Sequence, residues 1–348
     1  MTTLIVIGSL IIIFVGAEAF TNALEHLGQR LKISEGVTGS IFAAVATAMP
    51  ETMVPIVAIL GVTGTQEIRE DVAIGAILGA PLMLSTVALF LMGLFAARKR
   101  GWKDRLRPER TGLRRDLSWF LMVFGLATIA LFIPPDAAVA PLLRATIVMA
   151  LVLMYFIYLM LTVRASARLV QDGHGTEADH PLYLVYYLQG AGLKRLHETM
   201  LTLLVQLTLG FTLIVVGAKG FVHGVEQVST TMGVSALVLS LLIIPVATEL
   251  PEKVNSILWI RRRRDTLAFG NVTGAMVFQG SLLPALGIMM TPWAPHPEVL
   301  AGVLLTLLAS GYVLFALRRG GLRPYHLVVN GACYLSYYLF ILFIMVPR

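Results

Sequence analysis

A seven-residue block recurs 201 positions apart in this chain. Val45-Ala46-Thr47-Ala48-Met49-Pro50-Glu51 falls without a gap on Val246-Ala247-Thr248-Glu249-Leu250-Pro251-Glu252. Each copy assembles oxygen donors. Glu51 and Glu252 supply carboxylates, while Thr47 and Thr248 place a hydroxyl one helical turn earlier, on the same helix face. A proline inside a helix removes a backbone donor and frees the carbonyl four residues before it, which is Ala46 for Pro50 and Ala247 for Pro251. Carboxylate, hydroxyl and carbonyl oxygens together are what a hard divalent cation such as calcium takes, about six to eight at a time.

The elements that carry these residues are membrane helices. Of 348 residues, 57% are hydrophobic and 14% charged, with a mean hydropathy of +0.81. A soluble domain carries roughly 25% charged residues, so lipid replaces water around much of this surface. Ten apolar stretches reach the roughly 20 residues a span needs: 2–22, 36–62, 71–97, 117–135, 140–163, 199–221, 234–260, 266–291, 297–317 and 325–346. None has the alternating pattern of a membrane barrel. The expected fold is all-α, a polytopic bundle of ten transmembrane helices. Glu51 and Glu252 then sit about midway along their spans, where an ionised carboxylate costs a few kcal/mol at least and marks function by default. The first apolar run, Leu4 to Val15, lacks the basic flank of a secretory signal and reads as a retained helix. Cys333 is the single cysteine, so no disulfide joins the chain to itself.

Lysine and arginine set the orientation. The largest basic cluster, Arg98 to Arg115, follows the third span, and the groups at Arg164 and Arg168, Lys194 and Arg195, Arg261 to Arg264, and Arg318 to Arg323 fall on the same side. That side is expected to be cytoplasmic, with both termini outside and the chain integral to the cell membrane. These dispersed membrane-edge charges account for the net charge of +7 and lack the basic face with stacking aromatics that nucleic-acid binding requires. One long connection, 164–198, holds the polar run Gln171 to His180 and reads as a solvated cytoplasmic linker.

The match at 201 positions extends to Gly16-Ala17-Glu18-Ala19-Phe20 over Gly217-Ala218-Lys219-Gly220-Phe221, and, after a shorter loop, to Gly75 and Gly79 over Gly270 and Gly274. The chain is read as two five-helix repeats, 1–163 and 199–348, with the repeated motifs at about 36–97 and 234–291. An odd number of helices per repeat turns the second copy upside down. Inverted repeats are an architecture of secondary transporters, whose sites lie at the midplane between repeats on interrupted helices. Glu51 and Glu252 should therefore converge. The glycines four residues apart suit close helix packing. Asn271 and Gln279 carry side-chain oxygens that either join the site or bond neighbouring helices.

The paired Thr-x-x-Pro-Glu blocks, each followed by a Gly-x-x-x-Gly helix, resemble the alpha repeats of the calcium/cation antiporter superfamily, which includes the sodium/calcium exchangers. The resemblance spans nearly the whole chain. It implies that Glu51 and Glu252 coordinate calcium with oxygens of Thr47 and Thr248, and that the ion exchanges for another cation by alternating access. The family pattern Gly-Thr-Ser-Leu-Pro-Glu and Gly-Asn-x-x-Gly-Ser is altered here. Serines that help bind sodium in the family are replaced by Ala48, Ala80, Glu249 and Ala275, and Leu84 and Gln279 stand where it places Asn or Asp.

Glu249 lies three residues before Glu252, on nearly the same face. Two such acids in low dielectric do not both ionise readily, so one can keep a proton and release it when a cation arrives. Lys253 either neutralises a carboxylate, acts as a tethered cation or, facing about 100° away from Glu252, reaches another helix. Glu18, Glu25, Lys219 and Glu226 read as headgroup-level charges whose long side chains snorkel. The expected function is a secondary antiporter exchanging calcium or a related divalent cation for sodium or protons, with no resident cofactor. The alternative is a monovalent cation or proton transporter of the same fold. An intramembrane enzyme is disfavoured, because no Ser/His or His-x-x-x-His pair occurs. The partners expected are inorganic cations and the lipid bilayer.

Overall fold

A computed structural model describes residues 2–30, 51–61, 64–134, 136–170, 180–193 and 197–345. The protein is an integral membrane helical bundle, with no strand among the described residues. Its helices are α1 (Thr2–Arg30), α2 (Glu51–Leu60), α3 (Gln66–Arg100), α4 (Arg110–Ile129), α5 (Ala140–Val170), α6 (Tyr183–Gly190), α7 (Met200–Met232), α8 (Ala236–Thr248), α9 (Leu250–Arg261), α10 (Asp265–Gln279), α11 (Leu282–Met290), α12 (Pro297–Arg318) and α13 (Val328–Met345). Among the described residues, eight helical runs are long and apolar enough to cross a membrane, and α2 and α8 are shorter apolar helices. Each overlaps one of the ten stretches expected from hydropathy.

Local chemistry sets the helix starts. Thr65 accepts from the Ile68 amide at the head of α3, Glu109 accepts from the amides of Thr111 and Gly112 at the head of α4, and Ser235 accepts from Val238 at the head of α8. Each satisfies amides that an N-terminal turn leaves without partners. Gly233, with φ of 66°, ends α7 in the left-handed conformation glycine adopts freely.

Two of the apolar clusters share α3. One gathers Ile13, Val54, Val72, Ala76, Phe221 and Ile244 from α1, α2, the first half of α3, α7 and α8. The other surrounds the second half of α3 with Phe120 and Phe124 of α4, Phe269 and Met276 of α10, and Trp293 and Tyr337. The pair α1 and α7 meets along a glycine seam. A Cβ added at Gly210, Gly217 or Gly224 would come within 2.8 Å of Phe20, Ile13 or Val6 respectively. Rising numbers on one helix meet falling numbers on the other, so the two run antiparallel, as the inverted-repeat reading requires of its first helices. Gly75 and Gly79 of α3 sit as tightly on α8: an added Cβ would lie 2.6 Å from Ser240 Cβ and 2.5 Å from the Leu241 carbonyl oxygen.

The structure departs from the expected spans in three ways. The stretch 234–260 is two helices, broken at Glu249, and 266–291 is broken at Gly280 and Ser281. At 164–198, α5 continues to Val170, because the helix-forming run from Arg164 outlasts the apolar stretch, and α6 lies further along. Residues 171–179 lie outside the described residues. The end of the linker is held on α1 and α7: Asn22 donates to the Pro181 carbonyl and accepts from the Tyr183 amide, while Gln206 accepts from Leu184 and donates to Asn22.

At the opposite end of α3, Arg100 makes a bidentate ion pair with Asp265, with N···O distances of 3.0 and 2.8 Å and side chains only 2% and 3% exposed. Arg100 also donates to the Ile260 carbonyl, and the Arg107 amide donates to Asp265 at 2.7 Å. The basic connection thus joins the C-terminal end of α3 to the head of α10. Losing one partner of a buried pair strands the other charge, at a cost of about 3–5 kcal/mol. Asp265→Asn is expected to lower the unfolding midpoint of the detergent-solubilised protein accordingly. Asp104→Asn, which faces the exposed Arg263 at 3.9 Å, should change stability by less than about 1 kcal/mol.

Candidate cation site

The break in the second half positions the acids. Pro251 offers no amide, so the Ala247 carbonyl lacks its helical donor, and the chain turns at Glu249 with φ −93° and ψ 4°. Continuity is kept by the Glu249 amide on the Pro245 carbonyl at 3.2 Å and the Lys253 amide on the Glu249 carbonyl at 3.1 Å. Glu249 is therefore held at the joint, fully buried, and Glu252 lies in the first turn of α9, 3% exposed. Glu51, at the start of the described part of α2, is also 3% exposed.

These acids come from distant parts of the chain and converge. Gln279, fully buried at the end of α10, donates through Nε2 to Glu249 Oε1 at 2.9 Å and to Glu51 Oε1 at 3.3 Å. Glu51 lies within electrostatic reach of both Glu249 and Glu252. Among the described residues, Glu51 Oε2, Glu249 Oε2, Glu252 Oε2 and Gln279 Oε1 are buried without a hydrogen-bond partner. Buried polar oxygens are normally satisfied, so four such atoms in one neighbourhood mark a candidate site. Among the described residues, no three carboxylate, histidine or cysteine side chains close on a single point. The Gln279 amide stands between two of the acids.

The other expected residues are distributed as follows. Thr248 is 2% exposed and its hydroxyl donates to the Ile244 carbonyl at 3.3 Å, which leaves its lone pairs as acceptors; Ala247 is buried beside it. Asn271 donates to the Glu252 carbonyl at 3.1 Å and to Ser256 at 3.0 Å, and so ties α10 to α9. Ala46, Thr47, Ala48 and Pro50 lie outside the described residues. Gly75 and Gly79 pack closely on α8, whereas among the described residues a Cβ added at Gly270 would meet no other element within 4 Å and one at Gly274 only the Tyr158 hydroxyl, at 3.9 Å. Glu18 and Glu226 are half-buried and Lys219 is exposed; the Glu25 side chain is not among those described.

Sequence reasoning missed Asp116. It is 5% exposed and accepts from Thr273 at 3.0 Å, Tyr158 at 3.1 Å and Arg115 at 3.2 Å, so it fastens α4, α5 and α10 together. Its place beside the basic run made it resemble a loop charge.

The family model described as sodium/calcium exchanger protein matches residues 1–164 and 202–346. The chain belongs to the sodium/calcium exchanger family. Among curated relatives, it is 25% identical to the candidate antiporter CaxA of Alkalimonas amylolytica over 328 residues, covering 93% of this chain and 92% of that protein. Among solved structures, the H+/Ca2+ exchanger CAX matches with a TM-score of 0.69 at 15% identity, covering 98% of this chain and 86% of that one. The sodium-calcium exchanger NCX_Mj matches at 0.57 and 17% identity, covering 97% and 99%. At these identities the structures speak for the fold. The family places the chain among membrane transporters of inorganic cations rather than enzymes.

Gln279 donates to two carboxylates that otherwise face each other across a buried site. Gln279→Leu is expected to destabilise the cation-free protein by about 1–3 kcal/mol. Added calcium should recover more stability in this variant than in the wild type, read as the shift of the unfolding midpoint in detergent. Equal calcium shifts in the two proteins would contradict the bridging role.

Proposed function

We propose that this protein is a secondary antiporter that carries calcium, or a related divalent cation, across the cell membrane in exchange for protons or sodium. The supporting observation is the meeting of Glu51 with Glu249 through one buried amide, with carboxylate oxygens left over on all three acids. In this reading Glu51 and Glu252 are the principal ligands. Oxygens of Thr47, Thr248, Ala46 and Ala247 complete the shell, and Glu249, Asn271 and Gln279 adjust its charge and shape. The halves are inverted repeats with both termini outside. The α1–α7 pair moves as a unit past the site and exposes it to each side in turn.

The proton is the better-supported counter-ion. Ala48, Ala80 and Ala275 remove hydroxyls that help bind sodium in the family, while Glu249 adds a third acid that shares the Gln279 amide with Glu51. A site of acids that binds either a divalent cation or protons couples the two without further machinery. The second reading, a monovalent cation or proton transporter that does not carry calcium, is motivated by the same losses and by a buried lysine, Lys253, next to Glu252.

Radiolabelled calcium uptake into proteoliposomes separates the two. Uptake is expected under an outward proton gradient, and calcium standing still under both proton and sodium gradients would remove the leading reading. Glu51→Gln and Glu252→Gln should reduce uptake to the level of empty liposomes. Calcium affinity should rise with pH as protons cease to compete, and Glu249→Gln should flatten that dependence. A Glu249→Gln variant with the full wild-type pH profile would exclude Glu249 from the coupling.

A further inference from the structure

Two connections meet at the basic edge of the bundle and leave a cleft beside their contact. The Leu106 amide, between α3 and α4, donates at 2.9 Å to the Leu322 carbonyl, between α12 and α13. The cleft has a volume of about 260 Å³. Leu106, Pro108, Leu317 and Leu322 give it a buried apolar floor, and Arg105, Arg107 and Arg110 line it as exposed side chains. A second cavity of about 230 Å³ shares Gly320 and Gly321 with the first and extends along α12 past Phe315 and Tyr312, with Arg319 and Arg323 in its lining.

No carboxylate neutralises these guanidinium groups. The connection 101–109 carries two acids, and both are engaged: Asp104 faces Arg263 at 3.9 Å, and Glu109 accepts the Thr111 and Gly112 amides at the head of α4. The connection 319–327 carries no acid. Among the described residues none of the five arginines makes an ion pair. Packing holds them in place instead. The Arg319 guanidinium lies 4.6 Å from the Phe315 ring centre and that of Arg323 6.0 Å from Tyr325, each attracted by the ring face. The Arg323 amide donates to His326 Nδ1 at 3.1 Å. Gly320 and Gly321, with φ of 145° and 96°, take a turn that a side chain would strain, and a Cβ on Gly321 would stand 3.0 Å from the Arg110 guanidinium. Like charges gathered around a cavity focus a field that draws in an anion.

The shape of the joined cavities selects among anions. Guanidinium groups meet phosphate oxygens with paired hydrogen bonds, and the arginines of the first cavity suffice for that. The second cavity adds aromatic surface on a membrane-spanning helix, where Phe315 is 50% and Tyr325 42% exposed. A free phosphate has no use for it, whereas an acyl chain does. Basic pockets between membrane helices take anionic lipid headgroups. We propose that the joined cavities bind one anionic phospholipid, its phosphate among Arg105, Arg107 and Arg110 and an acyl chain along Phe315 and Tyr312. The lipid bridges the α3–α4 and α12–α13 connections, and its binding is independent of which ion the protein carries.

The test titrates the delipidated full chain in detergent with dioleoylphosphatidylglycerol, dioleoylphosphatidylcholine or inorganic phosphate. The unfolding midpoint is followed, and retained lipid is counted by native mass spectrometry. Phosphatidylglycerol alone should raise the midpoint and stay as one bound molecule. Arg107→Gln with Arg110→Gln should raise the concentration for half the shift about 25-fold, from about fivefold per basic residue beside an anionic headgroup. Arg261→Gln with Arg262→Gln removes the same charge from the same edge, outside the cleft; screening should hold its effect within about threefold. Equal weakening by the two pairs would reduce the attraction to a diffuse one and overturn the proposal. Equal stabilisation of the wild type by phosphatidylcholine would overturn it too, and the same shift from inorganic phosphate would assign the cleft to a soluble anion instead. These two comparisons need only the wild type, so they decide the matter even where the cleft variant does not fold.

Discussion

A carboxylate buried in a membrane is costly unless something positive meets it, and this bundle buries three, two of them on one amide. Gln279 holds Glu51 and Glu249 through a single Nε2, and Glu252 lies one turn beyond the joint. The rest of the arrangement can be read as support for that concentration of negative charge. Pro251 creates the break that brings Glu249 to the joint and releases the Ala247 carbonyl. Asn271 fastens the Glu252 backbone to α10. Lys253, buried beside Glu252, donates to the Pro245 carbonyl across the break.

The surrounding packing divides into parts that hold and parts able to slide. Around the second half of α3, large side chains interlock: Phe120 stacks on Phe124 at 5.2 Å and Trp293 is fully buried with its indole on the Ala127 carbonyl. Widening of α3 over Leu84–Ala88 is stabilised by Asn330, which donates to the Ser85 carbonyl at 2.7 Å. Such wide turns often lie near functional sites. Between α1 and α7 the contact is a glycine seam with small and aliphatic partners, a surface on which one helix can shift without unlocking a side-chain jigsaw.

Much of this was legible in the sequence because membranes impose strong rules. Length and apolarity marked the spans, and the rarity of charge within them isolated Glu51, Glu249 and Glu252. The less legible features depend on where flexible side chains end. A proline in a span predicts a kink, and only the backbone at Glu249 distinguishes a kink from a joint. The direction of the Lys253 Cβ was readable, but the side chain's return to Pro245 was not. Asp116 and Asp265 were hidden for another reason: each adjoins a basic run, and hydropathy cannot separate a buried ion pair at a helix end from a solvated loop. Gln279 read equally as a source of ligand oxygen or as a bond between helices, and only the structure shows its nitrogen on the two acids.

The most direct measurement is anomalous diffraction from crystals of the protein grown with strontium, a calcium-like scatterer. The account predicts one intramembrane peak at about 2.3–2.6 Å from carboxylate oxygens of both Glu51 and Glu252. A peak held by acids of only one half of the chain, or none between them at saturating strontium, would contradict it.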